Sequence, residues 1–237
     1  MKALTKEDRV ISVLLPHSKC PECLIIWNEA IKLLKNISIR NFIILATGKP
    51  DIDKILLYQP VRNGLSKYVS RELRDYYPII RECKDDVIAE DEVLKDLLTK
   101  FMNLINYELI IVIIVGLRSP DIYLGIAKAI KSITRFLHGN LIVISLANLG
   151  LAMSENAALN NLSRIIDDIK RLNINEEFEF HPYMDIPSLL TLLTYLKLMD
   201  SHNLSIKILG KGSSKLCVDR KCIYLNYAGI VFYVKRI

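Results

Sequence analysis

The strongest constraint on the fold is a set of four strand-length runs that are apolar at nearly every position. In chain order they read RVISVLLP, NFIILATG, ELIIVIIVG and NLIVISLA, and helical patterns separate them. A strand with no polar face must be covered on both sides, as the central strands of a parallel sheet are. We therefore predict a single three-layer α/β domain in which helices cover both faces of a central, mostly parallel sheet.

The helical patterns have recognisable ends. Ser119 precedes the third helix as a candidate N-cap, and Pro120 lies at its first position. Gly139 follows its last turn, where glycine commonly ends a helix. The last helix is apolar on most sides, so we expect it to be buried. Helices are predicted over residues 24–36, 90–105, 120–137, 154–172 and 187–200.

The C-terminal region has a different pattern. The segments LSIKILG, KCIYLNY and GIVFYVKRI predict three short strands joined by KGSSKLCVDR, with GKGSSK as a hairpin loop. Short connections indicate antiparallel pairing, so the sheet is expected to be mixed. Because the chain has neither an internal repeat nor a linker rich in Pro, Gly or Ser, residues 1–237 are predicted to form one domain.

Composition excludes several classes of partner. The longest purely apolar run, LIIVIIVGL, is half of the roughly 20 residues that a membrane-spanning helix needs. The charged N-terminus, MKALTKEDRV, lacks the apolar segment of a signal peptide, so we expect a cytoplasmic protein. The net charge is +6, but the 32 Lys and Arg residues are scattered among 26 acidic residues and form no long basic block. No nucleic-acid partner is therefore expected. The wealth of Ile, Leu, Lys and Glu is typical of thermophiles.

The segment PHSKCPEC, residues 16–23, places an imidazole and two thiols between the first strand and the first helix. Such turns are where α/β proteins place their chemistry. Cys20 and Cys23 have the spacing of metal ligands, and with Cys217 and Cys222 they could form a four-thiolate zinc site. They could equally form a redox pair, and the count of five cysteines leaves both open.

From end to end, the chain resembles the superfamily of class III (LigB-type) extradiol ring-cleavage dioxygenases and Memo-like proteins. VLLPH resembles the first strand of that family, which ends in a metal-ligand histidine, here His17. FIILATGKP resembles the next strand and turn, with Lys49 where a second histidine is expected. VISLANLG keeps Ser145 but has Ala147 and Gly150 in place of the acid and the histidine. HPYMDIPSLL and the C-terminal strands resemble the family's last motifs.

This resemblance implies the family's fold but not its activity. Non-haem Fe(II) in these enzymes needs two imidazoles and a carboxylate, and most of these ligands are missing here. We therefore expect that the protein does not cleave aromatic rings. It could act as a binding or partner protein, or it could have an altered metal site. The metal candidates are His17, His181 and Asp185, which could hold iron or zinc at low occupancy.

The same resemblance makes His17, Lys49 and Ser145 the candidate ligand-binding residues. The positive charge of Lys49 would repel a metal and attract a carboxylate or phosphate. The partner could be a small molecule or a protein, no membrane is expected, and the C-terminal strands could join copies of the chain into a homo-oligomer.

An alternative function is thiol–disulfide oxidoreduction by the Cys20-Pro21-Glu22-Cys23 motif. Two cysteines three residues apart on the first turn of a helix lie on nearly the same face, close enough to pair. The helix N-terminus and Lys19 favour a thiolate at Cys20. We therefore expect Cys20 to be the more reactive sulfur and Cys23 to be shielded.

Overall fold

The computed structural model describes residues 8–49, 54–83, 85–173, 185–199, 203–218 and 221–235. Nine strands of these segments form one mixed sheet. The strands are β1 (Asp8–Leu15), β2 (Asn41–Thr47), β3 (Ile55–Tyr58), β4 (Ile80–Glu82), β5 (Leu109–Val115), β6 (Ile142–Leu146), β7 (Leu151–Ala152), β8 (Leu204–Val218) and β9 (Lys221–Lys235). Their order across the sheet is β4-β3-β5-β2-β6-β1-β9-β7, and β8 pairs with β9.

Seven helices lie in the described segments. They are α1 (Pro21–Lys35), α2 (Gly64–Tyr76), α3 (Asp85–Ala89), α4 (Glu92–Leu104), α5 (Pro120–Phe136), α6 (Glu155–Lys170) and α7 (Ile186–Leu198). The predicted α/β class with a mixed, mostly parallel sheet is confirmed, and so are the five predicted helices. α7 is buried along almost its whole length, as its apolar sequence indicates. No helix in the described part of the chain is long and apolar enough to cross a membrane.

The four apolar runs form the parallel centre of the sheet, in the order β5-β2-β6-β1. Alternate residues of each strand enter two separate cores on the two faces of the sheet. In β2, Ile43 and Leu45 pack against the face covered by α2, α5, α6 and α7, whereas Phe42 and Ile44 pack against the face covered by α1 and α4. This double burial is the reason these strands lack a polar face.

Two regions differ from the sequence-based prediction. Residues 54–83 contain β3, α2 and β4, none of which was predicted, and β3 is antiparallel to β5. The prediction of three short C-terminal strands is wrong, because β8 and β9 are two 15-residue strands in a single hairpin. GKGSSK therefore lies inside β8 and not in a loop: Gly210 pairs with Gly229 and Lys215 with Tyr224. β8 ends at Val218, which pairs with Lys221 at the start of β9.

Helix α1 rests on this hairpin through a close contact at glycine. A methyl group added to Gly229 would lie 2.2 Å from Cγ2 of Ile26, a buried side chain of α1. The absence of a side chain at Gly229 therefore sets how closely α1 approaches β9. The same contact holds α1, whose first turn contains the end of the PHSKCPEC segment, against the hairpin.

We predict that Gly229→Ala lowers the free energy of unfolding by about 1–3 kcal/mol, because the new methyl group overlaps Ile26. Chemical denaturation would measure the change. Gly64→Ala is the matched control, because nothing lies within 4 Å of its added methyl group. The cost of Gly229→Ala should shrink in an Ile26→Ala background. An equal cost in both backgrounds would contradict this account of the contact.

Candidate functional site

His17 lies in the turn that follows the carboxyl end of β1. The parallel pairing of β1 with β6 ends at Leu15 and Leu146, and the chain then turns into α1. Trp27, fully buried in α1, donates a hydrogen bond from Nε1 to the carbonyl oxygen of Pro16 at 3.0 Å. This bond ties the turn to α1 and fixes the position of His17 at the edge of the sheet.

Two carboxylates hold the ring of His17, one at each nitrogen. Nε2 lies 3.0 Å from Oδ2 of Asp91, and Nδ1 lies 3.5 Å from Oδ2 of Asp185. The side chain of His17 is 13% exposed, and those of Asp91 and Asp185 are 21% and 19% exposed. The imidazole is thus an ion-paired group that is largely removed from water.

Each carboxylate is oriented by backbone groups. Asp91 caps α4, and its Oδ1 accepts hydrogen bonds from the N–H groups of Val93 and Leu94 at 3.1 and 3.0 Å. Asp185 precedes α7, and its Oδ2 accepts a hydrogen bond from the N–H of Asn148 at 2.7 Å. The start of α4 therefore orients Asp91, and the backbone of Asn148 orients Asp185, before any ligand binds.

This environment sets the charge of His17. Burial alone lowers the pKa of its imidazole, but hydrogen bonds to Asp185 and Asp91 and the charges of these residues outweigh burial and raise the pKa to about 10. For Asp91, burial raises the pKa, but the hydrogen bond and the charge of His17 outweigh burial and lower the pKa below its ordinary value. At neutral pH the site therefore holds an imidazolium between carboxylates.

Asn148 joins the parts of the site. Its Nδ2 donates a hydrogen bond to the carbonyl oxygen of His17 at 2.9 Å, and its own carbonyl oxygen accepts one from the N–H of Asp185 at 3.2 Å. Its Oδ1 is buried and has no hydrogen-bond partner within the described segments. We call His17, Asp91, Asn148 and Asp185 the His17 site.

Ser188 positions the start of α7 beneath this site. Its hydroxyl group donates to the carbonyl oxygen of Leu146 at 2.7 Å and lies 3.0 Å from the hydroxyl of Thr47. The ends of β2 and β6 are thereby linked to the helix that follows Asp185.

The other predicted ligand-binding residues lie in different surroundings. Lys49 is half-exposed, and its Nζ lies 3.1 Å from Oε2 of Glu90, the residue before Asp91. Its charge is thus already matched by a carboxylate at the rim of the site. Ser145 is fully buried inside β6, paired with Leu14 and Leu45, and no hydrogen bond joins its Oγ to the described residues. The structure thus places Asp185 against His17, whereas Lys49 pairs with Glu90 and Ser145 lies inside the sheet.

These surroundings do not fit a catalytic Fe(II) site. His181 lies outside the described residues, and no three His, Cys, Asp or Glu side chains within those residues are placed to hold a metal. Both nitrogens of His17 face carboxylates, whereas a metal ligand must present a bare lone pair. Gly150 has φ of 108°, in the left-handed region, where a side chain such as histidine would be strained.

The cysteines form two disulfides within the close pairs, Cys20–Cys23 and Cys217–Cys222. A four-thiolate zinc site built from both pairs is therefore not what the structure shows. The expectation of a free, reactive thiol at Cys20 is also wrong, because that sulfur is bonded to the sulfur of Cys23. Cys20 is partly exposed, whereas Cys23 is fully buried.

Lys19 differs from its expected role beside Cys20. Its Nζ contacts two carboxylates of α4, Oε2 of Glu92 at 3.3 Å and Oδ2 of Asp96 at 2.8 Å. The charge of Lys19 is therefore matched by α4 and is not directed at the sulfur of Cys20.

The fold has counterparts among solved structures, although no family model and no curated protein matches the sequence. The crystal structure of an uncharacterized protein from Escherichia coli K12 matches this fold with a TM-score of 0.54 at 10% sequence identity. The match covers 94% of this chain and 99% of that chain. At this identity the likeness concerns the fold of the whole chain and not its activity.

We predict that the ring of His17 keeps its second proton until the pH approaches 10, whereas an ordinary histidine loses it near pH 6.5. Imidazole NMR signals followed against pH would measure this, with His17→Asn identifying the signal. The matched control is His138→Asn, which removes an exposed histidine at the end of α5. A midpoint near 6.5 for His17 would contradict the paired-imidazolium structure.

Loss of the second proton from His17 should also lower the free energy of unfolding. Because the folded pKa of His17 is raised, the stabilisation is complete below about pH 6.5 and is lost as the pH rises towards 10. The His17→Asn variant should lack this part of the pH dependence, on the order of a few kcal/mol, in denaturation curves across that range.

Proposed function

We propose that this protein is a divergent member of the extradiol dioxygenase/Memo-like superfamily that binds a small molecule at the His17 site and does not cleave aromatic rings. The observation that carries the proposal is the pairing of both nitrogens of His17 with Asp91 and Asp185. It occurs at the position where the resemblance places a metal-ligand histidine. Here the histidine organises two carboxylates instead of a metal.

The chemistry of the bound molecule follows from the groups that remain available. Asn148 Oδ1 is a buried acceptor without a partner among the described residues, and the Asp91 and Asp185 side chains are partly exposed. Acceptor oxygens require hydrogen-bond donors on the ligand. An amine or a hydroxyl group fits these oxygens, whereas a carboxylate would meet them with like charge.

The charge balance around His17 agrees with a donor ligand. Asp91, Asp185 and Glu90 carry three negative charges, against two positive charges on His17 and Lys49. The residual charge is therefore negative, which favours a cation. Because Lys49 is paired with Glu90, the attraction for a carboxylate or phosphate that its sequence position suggests is offset.

Ring cleavage is not expected from these residues. Extradiol cleavage needs Fe(II) with open positions for catechol and dioxygen, held by two imidazoles and a carboxylate. Lys49, Ala147 and Gly150 stand where the resemblance expects ligands, and none of them is a metal ligand at neutral pH through its side chain.

We predict that purified protein supplied with Fe(II) and catechol consumes no oxygen above the rate of the His17→Ala variant. An oxygen electrode would measure this. Oxygen uptake that requires both iron and catechol and is abolished by His17→Ala would overturn the proposal. It would also mean that His17 releases its carboxylate partners and ligates the metal.

A second prediction concerns selectivity. Among three matched probes, 4-(2-aminoethyl)catechol should bind more tightly than catechol, and catechol more tightly than 3,4-dihydroxybenzoate, in isothermal titration calorimetry. Asp185→Asn should weaken binding of the amine by about fivefold, or about 1 kcal/mol, because a partly buried attractive charge is lost.

Asp167→Asn is the control for this substitution, because it removes an exposed carboxylate on α6 that pairs with Lys170. The affinity of the Asp167→Asn protein for each probe should equal that of the wild type. Tighter binding of the benzoate than of the amine would contradict a donor-selective site.

A further inference from the structure

We propose that the Cys20–Cys23 disulfide is a thiol–disulfide exchange site that passes two electrons from a dithiol donor to a disulfide substrate. The site is separate from the ligand site proposed above, because the sulfurs belong to the first turn of α1 and the ring nitrogens of His17 are held by Asp91 and Asp185. Four features of the first turn of α1 support it.

The two sulfurs differ in accessibility. Cys20 is partly exposed at the start of α1, and Cys23 is fully buried in the core between α1 and the sheet. An incoming thiolate can therefore reach the sulfur of Cys20 and not that of Cys23. This asymmetry assigns Cys20 as the attacked sulfur and Cys23 as the sulfur that leaves and later resolves.

The start of α1 also stabilises the Cys20 thiolate that exchange produces. Cys20 is the N-cap residue of α1, and its Sγ accepts a hydrogen bond from the N–H of Cys23 at 3.1 Å. A sulfur in this position is stabilised as an anion by the free N–H groups of the helix start. Pro21 at the first helical position restricts the backbone between the two sulfurs.

The disulfide is not required to hold the first turn of α1 in place. Trp27 bonds the carbonyl oxygen of Pro16, and Lys19 contacts Glu92 and Asp96, so other contacts fix both flanks of the turn. The cysteines are only three residues apart, so the bond closes a short loop and constrains the unfolded chain little. The bond can therefore open without loss of the fold.

The second disulfide lacks both the position at a helix start and the fully buried partner sulfur. Cys217 and Cys222 lie directly opposite each other on β8 and β9, and neither begins a helix. This pair joins two strand ends. It provides an internal control for exchange at Cys20–Cys23.

The proposed reaction has two halves, and each half consists of two thiol–disulfide exchanges. A donor thiolate attacks Sγ of Cys20, forms a mixed disulfide and releases Cys23 as a thiolate. The second donor thiolate then attacks the donor sulfur of that mixed disulfide, which gives the donor disulfide and leaves both cysteines reduced, with two electrons and two protons gained. In the second half, the Cys20 thiolate attacks the substrate disulfide, and Cys23 resolves the mixed disulfide to restore Cys20–Cys23 and the reduced substrate.

The test uses the full chain with Cys217→Ser and Cys222→Ser, which removes the hairpin disulfide. Dithiothreitol is the donor, insulin is the disulfide substrate, and precipitation of the insulin B chain reports the rate. We expect the reduction of insulin to be at least about tenfold faster than with dithiothreitol alone, because the exposed Cys20 thiolate is activated. The wild type and the Cys217→Ser/Cys222→Ser protein should have equal rates.

Single substitutions then separate a catalytic disulfide from a structural one. Cys20→Ser should abolish the acceleration while keeping the fold, because serine is also a good N-cap. Cys23→Ser should accumulate a mixed disulfide between Cys20 and an insulin chain, identified by mass spectrometry, and Cys20→Ser should form none.

The proposal is overturned if insulin reduction is not accelerated, or if Cys20→Ser leaves the acceleration intact. It is also overturned if differential alkylation shows that Cys20 and Cys23 remain oxidised in dithiothreitol while circular dichroism shows that the protein is folded.

Discussion

The fold and the His17 site both depend on the parallel pairing of four strands that are buried on both faces. Because β5, β2, β6 and β1 run in one direction, their carboxyl ends meet at a single edge of the sheet. Helices must then cover both faces, and their starts arrive at that edge. This is how Asp91, the residue before α4, and Asp185, the residue before α7, reach the two sides of one imidazole.

The charge on that imidazole decides what the edge can do. A protonated ring offers two N–H donors and no lone pair, so it can orient carboxylates but cannot ligate a metal. Asp91 and Asp185 stabilise this protonated form, and the charged ring in turn lowers the pKa of Asp91. The His17 site is therefore a preorganised group of acceptor oxygens around a charged ring.

Sequence periodicity was sufficient for the central strands and the long helices, because burial on both faces or on one stripe leaves a clear pattern. It was insufficient for β8 and β9, since residues such as Lys211 and Ser213 interrupt the apolar runs although the strand continues through them. α2 was missed although its capping box at Asn63 and Ser66 is a recognisable start signal.

For the site, sequence reasoning found His17 and Asp185 but missed Asp91 and Asn148. Asp91 is 74 residues from His17 along the chain, and nothing local marks it except its place before a helix. Only the tertiary packing of α4 beside the turn brings the two together. Pairing between distant charged residues has no periodic signature, whereas the Cys20–Cys23 pair is local and is visible in the sequence as a spacing of three.

The two proposals place two chemistries within a few residues of the turn between β1 and α1, and the contacts around the turn would let them operate independently. Asp91 holds His17 from α4, Asp96 holds Lys19 from the same helix, and Trp27 holds Pro16 from α1. These contacts leave the ring of His17 and the sulfur of Cys20 on separately anchored parts of the backbone. Opening the disulfide changes bonding only within the first turn of α1, so the carboxylates around His17 keep the partners that set its charge.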